Sequence, residues 1–320
     1  MKTKSKYAKN TCSSSIKSLL TLALAGSGAF YGFSPAWATP LLGSDLASFT
    51  VLGASTVTNV PTSTIVGNVG VWSSGGANAI TGFNASPGVA VSDSQVTGGL
   101  VHAGTTVAQS AQGQLTTAIN NLGSLGPGST LVNPDLAGLT LSPGIYTVLA
   151  GTTNLSGTLT LDGQGNANAA WVFQMPSSLI TSPNSVVIMI NTGSGAGVYW
   201  NVGSSATIDT NTTFLGNILA LTSISMNSTA TDLCGRALAN TGAVTLQQNS
   251  LSGVCTGIPA GSSILNGGLD VTTPTGGGSD VVTILPFVPV NGGGTVPEPA
   301  TLALLGIGLA GLGFARRRNV

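Results

Sequence analysis

The sequence predicts an all-β chain built as a β-solenoid, with one long α-helix alongside it. Three observations favour this class. Charged residues make up 6% of the 320-residue chain and hydrophobic residues 42%, whereas an average soluble domain carries about 25% charged residues. Glycine, serine, threonine and asparagine separate short Val/Ile/Leu runs, as in strands joined by many turns. A 19-residue repeat and one amphipathic segment complete the pattern.

Charge is concentrated at the two ends of the chain. Five lysines lie between positions 2 and 17, and three arginines at 316–318. Between residues 39 and 295 the only base is Arg236, against eight aspartates, and the only histidine is His102. A nucleic-acid partner needs a basic patch, so that class is excluded, and general acid–base catalysis has few residues available. We therefore expect neither an enzyme nor a cofactor.

Residues 1–38 have the layout of a secretory signal peptide. A basic segment precedes the apolar stretch Leu19–Phe33, and Ala36-Trp37-Ala38 is a small-x-small cleavage site. Export would place the rest of the chain in a compartment where disulfides persist. An N-terminal core helix is the alternative interpretation.

The C-terminus combines a Pro-Glu-Pro motif, an apolar stretch and a basic cluster. These are Pro297, Glu298 and Pro299, then Thr301–Ala315, then Arg316, Arg317 and Arg318. As a helix the apolar stretch would span about 22 Å, shorter than a hydrocarbon core of about 30 Å. The order resembles the PEP-CTERM sorting signal of Gram-negative bacteria, over residues 296–320. The resemblance implies processing by an exosortase-type enzyme, membrane contact only through this short transmembrane helix, and delivery to the cell surface or extracellular matrix.

The remainder of the chain divides into one domain and a linker. Residues 256–295 are rich in glycine, threonine and proline, and they are predicted to be flexible. Residues 39–255 are then a single domain, which is long enough to bury a proper core.

Regularly spaced apolar triplets predict stacked coils. Tyr199, Ile218 and Ala237 are spaced at the 19-residue period, and between them recur Ala206-Thr207-Ile208, Ile224-Ser225-Met226 and Val244-Thr245-Leu246. Each triplet carries small or apolar residues on both sides of a hydroxyl, the alternation of a half-buried strand. This period is too short for a helical hairpin and suits a solenoid coil of three short strands and three turns.

Apolar residues between Ser92 and Leu125 recur at steps of three and four, as on one face of an amphipathic helix. Ser92 with Gln95 predicts a capping box at its start, and Gly123 suits its end. Such a helix would be about 45 Å long, and only the flank of the coil stack is long enough to cover its stripe. His102 lies beside the stripe and is interpreted as a surface or hydrogen-bonded residue.

Cys12 leaves with the signal peptide, so two cysteines remain in the domain. Cys234 and Cys255 are separated by one coil plus two residues. Adjacent strands lie about 4.8 Å apart, within the Cα range that a disulfide needs. The spacing predicts a disulfide between the last two coils, worth about 3 kcal/mol. Two buried free thiols are the alternative.

The sequence contains no motif of a nucleophilic, metal-dependent or phosphate-binding enzyme. Leu161–Asn166 faintly resembles a calcium loop but lacks the further carboxylates that such a site needs. We therefore expect no metal, and Asp162-Gly163 is interpreted as a tight turn. Carbohydrate-active β-helices use clustered carboxylates or bases, whereas the aspartates here are scattered.

Hydroxyl and amide side chains recur near the second corner of successive coils. On stacked strands they would form a grid spaced about 4.8 Å across coils and about 6.7 Å along a strand. The stiff χ1 of threonine would keep this grid ready to order water, and ordinary solvent-facing strand residues are the alternative. The candidate binding residues are Thr181, Asn184, Thr210, Thr212, Thr213, Ser228, Thr229, Thr231, Gln248 and Ser250.

A series of ordered motifs resembles the large microbial ice-binding protein family. The series begins with Phe49–Asn59 and Ile65–Val71, continues with Leu141–Tyr146 and Leu159–Gly165, and is most recognisable from Val202 to Leu246. The resemblance implies a right-handed, discontinuous β-solenoid of triangular section with a long helix packed alongside.

The same resemblance implies that one flat face binds the surface of an ice crystal and inhibits ice growth and recrystallisation, without catalysis or a cofactor. Family faces often carry a Thr–small–x–Thr/Asn pattern. Thr210–Thr213 and Ser228–Thr231 match it imperfectly, and Gln248-Asn249-Ser250 departs from it. A non-catalytic surface or matrix adhesin on the same scaffold is the alternative function. A carbohydrate-active enzyme is a third, disfavoured by the small number of ionisable residues.

Overall fold

The computed structural model describes residues 41–73, 79–149, 151–255, 265–274 and 279–290. Short parallel strands wind as a solenoid, and each full coil adds one strand to each of three faces. We call these faces A, B and C, in the order in which a coil passes through them. The predicted triangular β-solenoid is therefore confirmed. The predicted signal peptide and the predicted sorting helix lie outside the described residues.

Face A packs under the helix α1 (Thr106–Ser124), so both of its surfaces are buried. Alternate side chains of a strand point to opposite sides of a sheet. Here one set fills the solenoid and the other packs on α1. In spatial order the strands are β6 (Ala90–Val91), β8 (Val101–Ala103), β4 (Asn68–Val71), β1 (Phe49–Gly53), the second parts of β21 (Thr231–Ala239) and β19 (Thr213–Ala220), β17 (Gly197–Val202), β14 (Ala170–Met175), β11 (Gly144–Val148) and β9 (Ser129–Leu131).

Face B is a separate seven-stranded parallel sheet. Most of its strands are three residues long, with a half-buried residue between two buried ones. In spatial order they are β12 (Thr153–Leu155), β15 (Leu179–Thr181), β18 (Ala206–Ile208), β20 (Ile224–Met226), β22 (Val244–Leu246), β2 (Val57–Asn59) and β5 (Ile80–Thr81).

Face C is continuous with face A through β19 and β21, whose first residues lie on face C. A register shift between Phe214 and Gly216 marks the bend. The strands of face C are β10 (Thr140–Leu141), β13 (Thr158–Asn166), β16 (Val186–Thr192), the first parts of β19 and β21, β23 (Ser250–Ser252), β3 (Thr64–Val66) and β7 (Val96–Thr97).

The coil stack is discontinuous in sequence. β1 pairs with β21 on one side and with β4 on the other, so an early coil lies beside a late one. β8 and β9 consequently belong to opposite ends of face A. The helix α1 follows β8 and precedes β9, and its 19 residues span about 28 Å along the stack. No helix among the described residues is long and apolar enough to cross a membrane.

The 19-residue period matches the coils with one slip. Ala206 pairs with Ile224, and Ile224 with Val244, as the spacing predicts. Ile218, however, pairs with Trp200 rather than with Tyr199, because the step between these two coils is one residue shorter than the period. A slip of one residue exchanges the two sides of a strand, so Trp200 lies inside the solenoid and Tyr199 lies under α1.

The predicted start of the helix at Ser92 is wrong. Residues 92–105 form a turn and the strands β7 and β8, and Thr105 rather than Ser92 is the N-cap of α1. The Asp93 side chain accepts a hydrogen bond from the backbone N–H of Gln95 (2.7 Å), which forms a local turn in place of the expected capping box. Inward-pointing residues of two successive short strands, such as Val96 and Val101, mimic the spacing of a helical stripe.

Two apolar cores hold the molecule together. Inside the solenoid, the rings of Phe173 and Trp200 stack with centroids 4.2 Å apart, and Tyr146 and Phe214 extend the column. The second core lies between face A and α1, where Leu115 is fully buried. Each fully buried large apolar side chain stabilises the fold by about 1.5–3 kcal/mol.

A C-terminal strap, defined as residues 265–274 and 279–290, covers part of the second core. Its strands β24 (Leu269–Thr272) and β25 (Val281–Ile284) pair antiparallel. The side chains that join the helix core are Leu269, Val271 and Val282. This part of the predicted 256–295 linker is therefore ordered, because alternating apolar residues between the glycine-rich runs supply one buried side.

Candidate functional site

The structure brings most of the predicted site residues together at the corner between faces B and C. Backbone hydrogen bonds stack this corner from coil to coil. The N–H of Asn184 donates to the carbonyl of Thr210 (3.0 Å), and the N–H of Thr229 donates to that of Gln247 (3.1 Å). Asn184, Thr213, Thr229 and Gln248 are exposed, whereas Thr210, Ser228, Thr231 and Ser250 are half-buried.

Thr181 and Thr212 are not part of any exposed surface, which corrects the expectation from the sequence. Their exposed fractions are 1% and 0%. Their hydroxyls lie 3.0 Å apart and hydrogen bond to each other, and that of Thr181 also accepts from the N–H of Asp209 (2.7 Å). Both side chains point inward because the chain turns at this corner, and they satisfy buried polar groups there.

The outermost corner residues adopt left-handed backbone conformations. Asn184, Asn211, Thr229 and Gln248 have φ between 54° and 63°, a region that asparagine tolerates better than most residues. The side chains also bind one another across coils, since the hydroxyl of Thr229 donates to the Oδ1 of Asn211. The corner is thus a ladder of polar residues, and some of their side chains already hydrogen bond to one another.

A row of hydroxyls crosses face C beside this corner. Thr213, Thr231, Ser250 and Thr64 pair in sequence on adjacent strands. Val186 pairs with Thr213 and interrupts the row, which continues with Thr158 on the next strand. Further along the same face, Ile188 and Ile190 are exposed. Thr140 and Thr160 lie in the row of Ile188, and Asp162 lies in the row of Ile190. Face C therefore mixes hydroxyls with exposed isoleucines and a carboxylate.

Face B carries a longer row of polar side chains, and none of them is among the candidate residues predicted from the sequence. The middle residues of its strands lie in one line of paired positions, each half-buried or exposed. This central row is Asn154, Ile180, Thr207, Ser225, Thr245, Thr58 and Thr81. The hydroxyls of this row are the middle residues of the repeated apolar–hydroxyl–apolar triplets in the sequence. The triplets do not indicate which face of the solenoid α1 covers, so the sequence alone does not show that this row is uncovered.

Flanking hydroxyls extend the central row into a grid. On one side the hydroxyl of Ser223 accepts from the N–H of Ala243 (3.1 Å), and that of Ser205 accepts from the N–H of Ser223 (3.3 Å). On the other side the Asn227 amide donates to Asp209 (2.8 Å). This bond is the main reason that the pKa of Asp209 is lowered. These bonds hold the polar side chains of face B in fixed positions.

Face B is nearly free of charge. None of its seven strands contains a charged residue. The one base of the described residues, Arg236, is 3% exposed and binds the carbonyl oxygens of Ala47 and Gly253 and the side chain of Asn217. The strands therefore offer hydroxyls and methyl groups in a regular array, with the carboxylates of Asp209 at its flank and Asp135 beside Asn154 at its end.

Asp232 is a second buried ionisable residue, and it lies away from face B. It is 0% exposed, and neither carboxylate oxygen accepts a hydrogen bond of normal geometry from a described residue. Burial raises its pKa to about 8, against smaller opposing effects of the nearby N–H groups of Cys234 and Gly216 and the charge of Arg236. Two residues further along, Cys234 forms a disulfide with Cys255, with Cα atoms 4.2 Å apart.

No constellation suited to catalysis is present in the described part of the chain. His102 is buried against Phe49, its Nδ1 lies 3.1 Å from the hydroxyl of Thr105, and burial lowers its pKa. A cleft of about 410 Å³ between α1 and face A is lined by no titratable side chain. In these same segments, no three potential metal ligands cluster.

Fold and surface together define a class of protein: a β-solenoid that presents a sheet of hydroxyl-bearing strands without a charged residue in them. The model of the ice-binding-like family matches residues 51–252, and the chain belongs to this family. The model of the PEP-CTERM protein-sorting motif matches residues 295–318.

Similar proteins agree with this assignment. The ice-binding protein of Nostoc sp. (strain HG1) is 38% identical over 304 residues, which is 95% of this chain and 96% of that protein. A solved domain of ice-binding protein 1 from Shewanella frigidimarina has a TM-score of 0.59 and 27% identity, and covers 67% of this chain and 97% of its own. The glycosylated ice-binding protein LeIBP from an Arctic yeast has a TM-score of 0.61 and 25% identity, with 70% and 97% covered.

Proposed function

We propose that this protein binds ice and that face B is the surface that contacts it. The observation that carries the proposal is the central row of face B, where Thr207, Ser225, Thr245, Thr58 and Thr81 repeat on adjacent parallel strands. Face A is covered by α1, and face C carries two exposed isoleucines and an aspartate among its hydroxyls. The ice-binding proteins to which the chain is similar support the same function.

The array binds ice through ordered water. Strand geometry spaces the outward side chains by about 4.8 Å across coils and about 6.7 Å along a strand. Because the χ1 of threonine is stiff and the flanking serines are hydrogen-bonded, little side-chain freedom is lost on binding. Water held on this grid merges with the ice lattice. Ice then grows with a curved front between bound molecules, which lowers the local freezing point. The process needs neither a chemical step nor a cofactor.

The corner residues form the border of the contact surface. Thr210 and Ser228 lie on the face B side of the corner, two residues after the ends of the strands β18 and β20. Thr213, Thr231 and Ser250 lie on the face C side, beyond the bend. We assign Thr210 and Ser228 to the edge of the ice contact. The three residues on the face C side lie outside it.

The two ends of the chain support an activity outside the cytoplasm. We infer that residues 1–38 direct export and are removed. We infer also that the motif at 295–318 is processed by an exosortase-type enzyme, with a short membrane helix formed by Thr301–Ala315. The protein then acts at the cell surface or in the extracellular matrix of a Gram-negative bacterium, where it inhibits the growth and recrystallisation of nearby ice.

Thr245→Tyr tests face B directly. The added ring stands above the plane of the face, so we expect most of the thermal hysteresis to be lost and circular dichroism to be unchanged. Freezing-point depression and crystal shape in a nanolitre cryostage measure the effect. Thr231→Tyr is the matched control, since Thr231 is also a half-buried outward hydroxyl but lies across the corner.

If Thr231→Tyr abolishes activity while Thr245→Tyr leaves it intact, the contact surface lies on face C and the assignment of face B is wrong. Round crystals and no hysteresis from the folded unmodified chain would reject ice binding altogether. That result would turn attention to the adhesin alternative, which binding to a glycan array would test.

A further inference from the structure

A cleft of about 470 Å³ lies along α1, between the N-terminal residues and the C-terminal strap. Leu41 lines it from the N-terminal side and Asp280 from the strap. The helix supplies the floor of the cleft and contributes no titratable side chain to it. The residues of α1 that form this floor are Ser110, Gly113, Gln114, Thr117 and Asn121. They extend over about 16 Å of the helix.

The N-terminal residues are anchored beside this cleft. The Oε1 of Gln114 accepts hydrogen bonds from the N–H groups of Asp45 (3.1 Å) and Leu46 (2.8 Å). The hydroxyl of Ser110 donates to the carboxylate of Asp45 (2.6 Å). Leu41 is 5% exposed and belongs to the core between face A and α1. The described chain therefore begins at a fixed point on the wall of the cleft.

Asp280 presents a carboxylate from the opposite wall. It accepts hydrogen bonds from the side-chain amide of Asn121 (3.1 Å) and from the hydroxyl of Thr273 (2.8 Å). These two bonds lower the pKa of Asp280, so the group is ionised at neutral pH, and each of its oxygens can accept a further hydrogen bond. The basic side chains of the described residues, Arg236 and His102, are both buried and bound elsewhere.

The mature chain has one further cation, and it lies within reach of the cleft. Residues 39–320 contain no lysine, and their arginines other than Arg236 all lie at 316–318. Removal of residues 1–38 converts the amide nitrogen of Thr39 into an amino group with an ordinary pKa of about 8. Only Thr39 and Pro40 precede Leu41, so this group lies within about 7 Å of the Leu41 nitrogen. The ring of Pro40 restricts its own φ and the backbone of Thr39, which narrows the positions available.

We propose that the N-terminal ammonium group of Thr39 occupies this cleft and forms an ion pair with the carboxylate of Asp280. The pair joins the first residue of the mature chain to the strap. It does not form in the precursor, where the nitrogen of Thr39 is an uncharged amide within the chain. Removal of the signal peptide therefore strengthens the attachment of the strap. The proposal is independent of ice binding and rests on the cleavage after Ala38 that we infer above.

Titration of the N-terminal amine tests the ion pair. The chain from Thr39 to Val320 is released from a fusion tag, kept in non-ionic detergent and dimethylated with isotope-labelled formaldehyde. Because it contains no lysine, only one amine is labelled, and NMR spectroscopy follows its pKa. We expect the pKa in the folded chain to exceed that in the urea-unfolded chain by about 1, since a nearby carboxylate favours the charged form.

Two variants of the strap separate the pair from the general charge of the protein. Asp280→Asn should return the pKa of the amine to its value in the unfolded chain. Asp270→Asn is the matched control, because Asp270 is also half-buried on the strap but does not line the cleft. This control should leave the raised pKa unchanged.

Acetylation of the amine tests the attachment of the strap. The acetyl group removes the charge, so we expect the amides of β24 and β25 to exchange hydrogen about two- to fivefold faster. Exchange on face B should not change. In the Asp280→Asn variant the same acetylation should have no further effect on the strap, because the ion pair is already absent.

A pKa that is not raised by folding, or strap amides whose exchange is unchanged by acetylation, would overturn the proposal. So would a pKa that falls in Asp45→Asn but not in Asp280→Asn. Sequencing the first residues of the exported chain tests the cleavage separately, and a start other than Thr39 would reject both the cleavage site and the pair. Adsorption of the unmodified chain to ice tests the proposed function alone, and its failure would leave the ion pair standing.

Discussion

The carboxyl group of Asp232 shows how a single residue makes stability depend on pH. Its pKa of about 8 in the folded protein exceeds the value near 3.9 of an unfolded aspartate, so the folded state binds one more proton between these values. Stability from this group is complete below about pH 4 and is lost as pH rises through 8. We expect the free energy of unfolding to fall between pH 5 and 9 by an amount on the order of 4 kcal/mol.

Asp232→Asn should remove most of that fall, because an amide does not ionise. Thermal denaturation at pH 5 and pH 9 measures the difference. Asp162→Asn is the control: Asp162 is half-buried, and hydrogen bonds from the N–H of Gln164 and the side chain of Asn191 lower its pKa, so it is ionised at both values. If the Asp232→Asn variant loses as much stability between pH 5 and pH 9 as the unmodified protein does, the ionisation of Asp232 does not destabilise the fold.

Ile180 is the one apolar side chain in the central row of face B, with 43% of its surface exposed. It interrupts a line of groups that bind water, between Asn154 and Thr207. Ile180→Thr should therefore increase thermal hysteresis by lengthening the row. Ile188→Thr makes the same change on face C at a similar exposure of 39% and should have no effect. An equal response of both variants would indicate that the position of the added hydroxyl does not matter.

At the scale of elements, the start of α1 separates what the sequence predicts from what the fold decides. The apolar stripe identifies the buried residues correctly from Ala111 to Leu122. Upstream, the same spacing arises from inward residues of β7 and β8, and only their pairing with β3 and β4 distinguishes strands from helix. Those partners lie well before the stripe in the sequence, so no local pattern contains the information.

The cap of α1 provides a test of this boundary. The hydroxyl of Thr105 accepts from the N–H of Ala108 (3.2 Å), so Thr105→Ala should destabilise the protein by about 1–2 kcal/mol. Thr105→Ser keeps the acceptor and should retain most of the stability. Ser92→Ala, at the cap expected from the sequence, should have little effect. Urea denaturation distinguishes these outcomes, and a larger loss at Ser92 than at Thr105 would contradict the observed boundary.

At the scale of the whole molecule, the stacked coils could be predicted from the sequence, whereas the face that stays uncovered could not. The repeated triplets identify three strands of face B, because every coil must alternate buried and exposed residues. The choice of face depends on α1 and the strap, which leave face B uncovered through contacts between distant parts of the chain. The corner residues were predicted as binding residues because their segments are rich in threonine. Thr181 and Thr212, however, are buried and hydrogen bond to each other, and residue type alone does not distinguish a buried threonine from an exposed one.

The pairing of β1 with β21 has a consequence for how the protein is made. An ordinary solenoid grows from one end, since each new coil has a finished neighbour to pack on. Here Val51 must wait for Ala237, so the coils that emerge first from the ribosome lack their partner until almost the whole domain has been synthesised. Such long-range pairing delays folding. The early coils therefore lack a finished neighbour during synthesis, which would suit the export that we propose for residues 1–38.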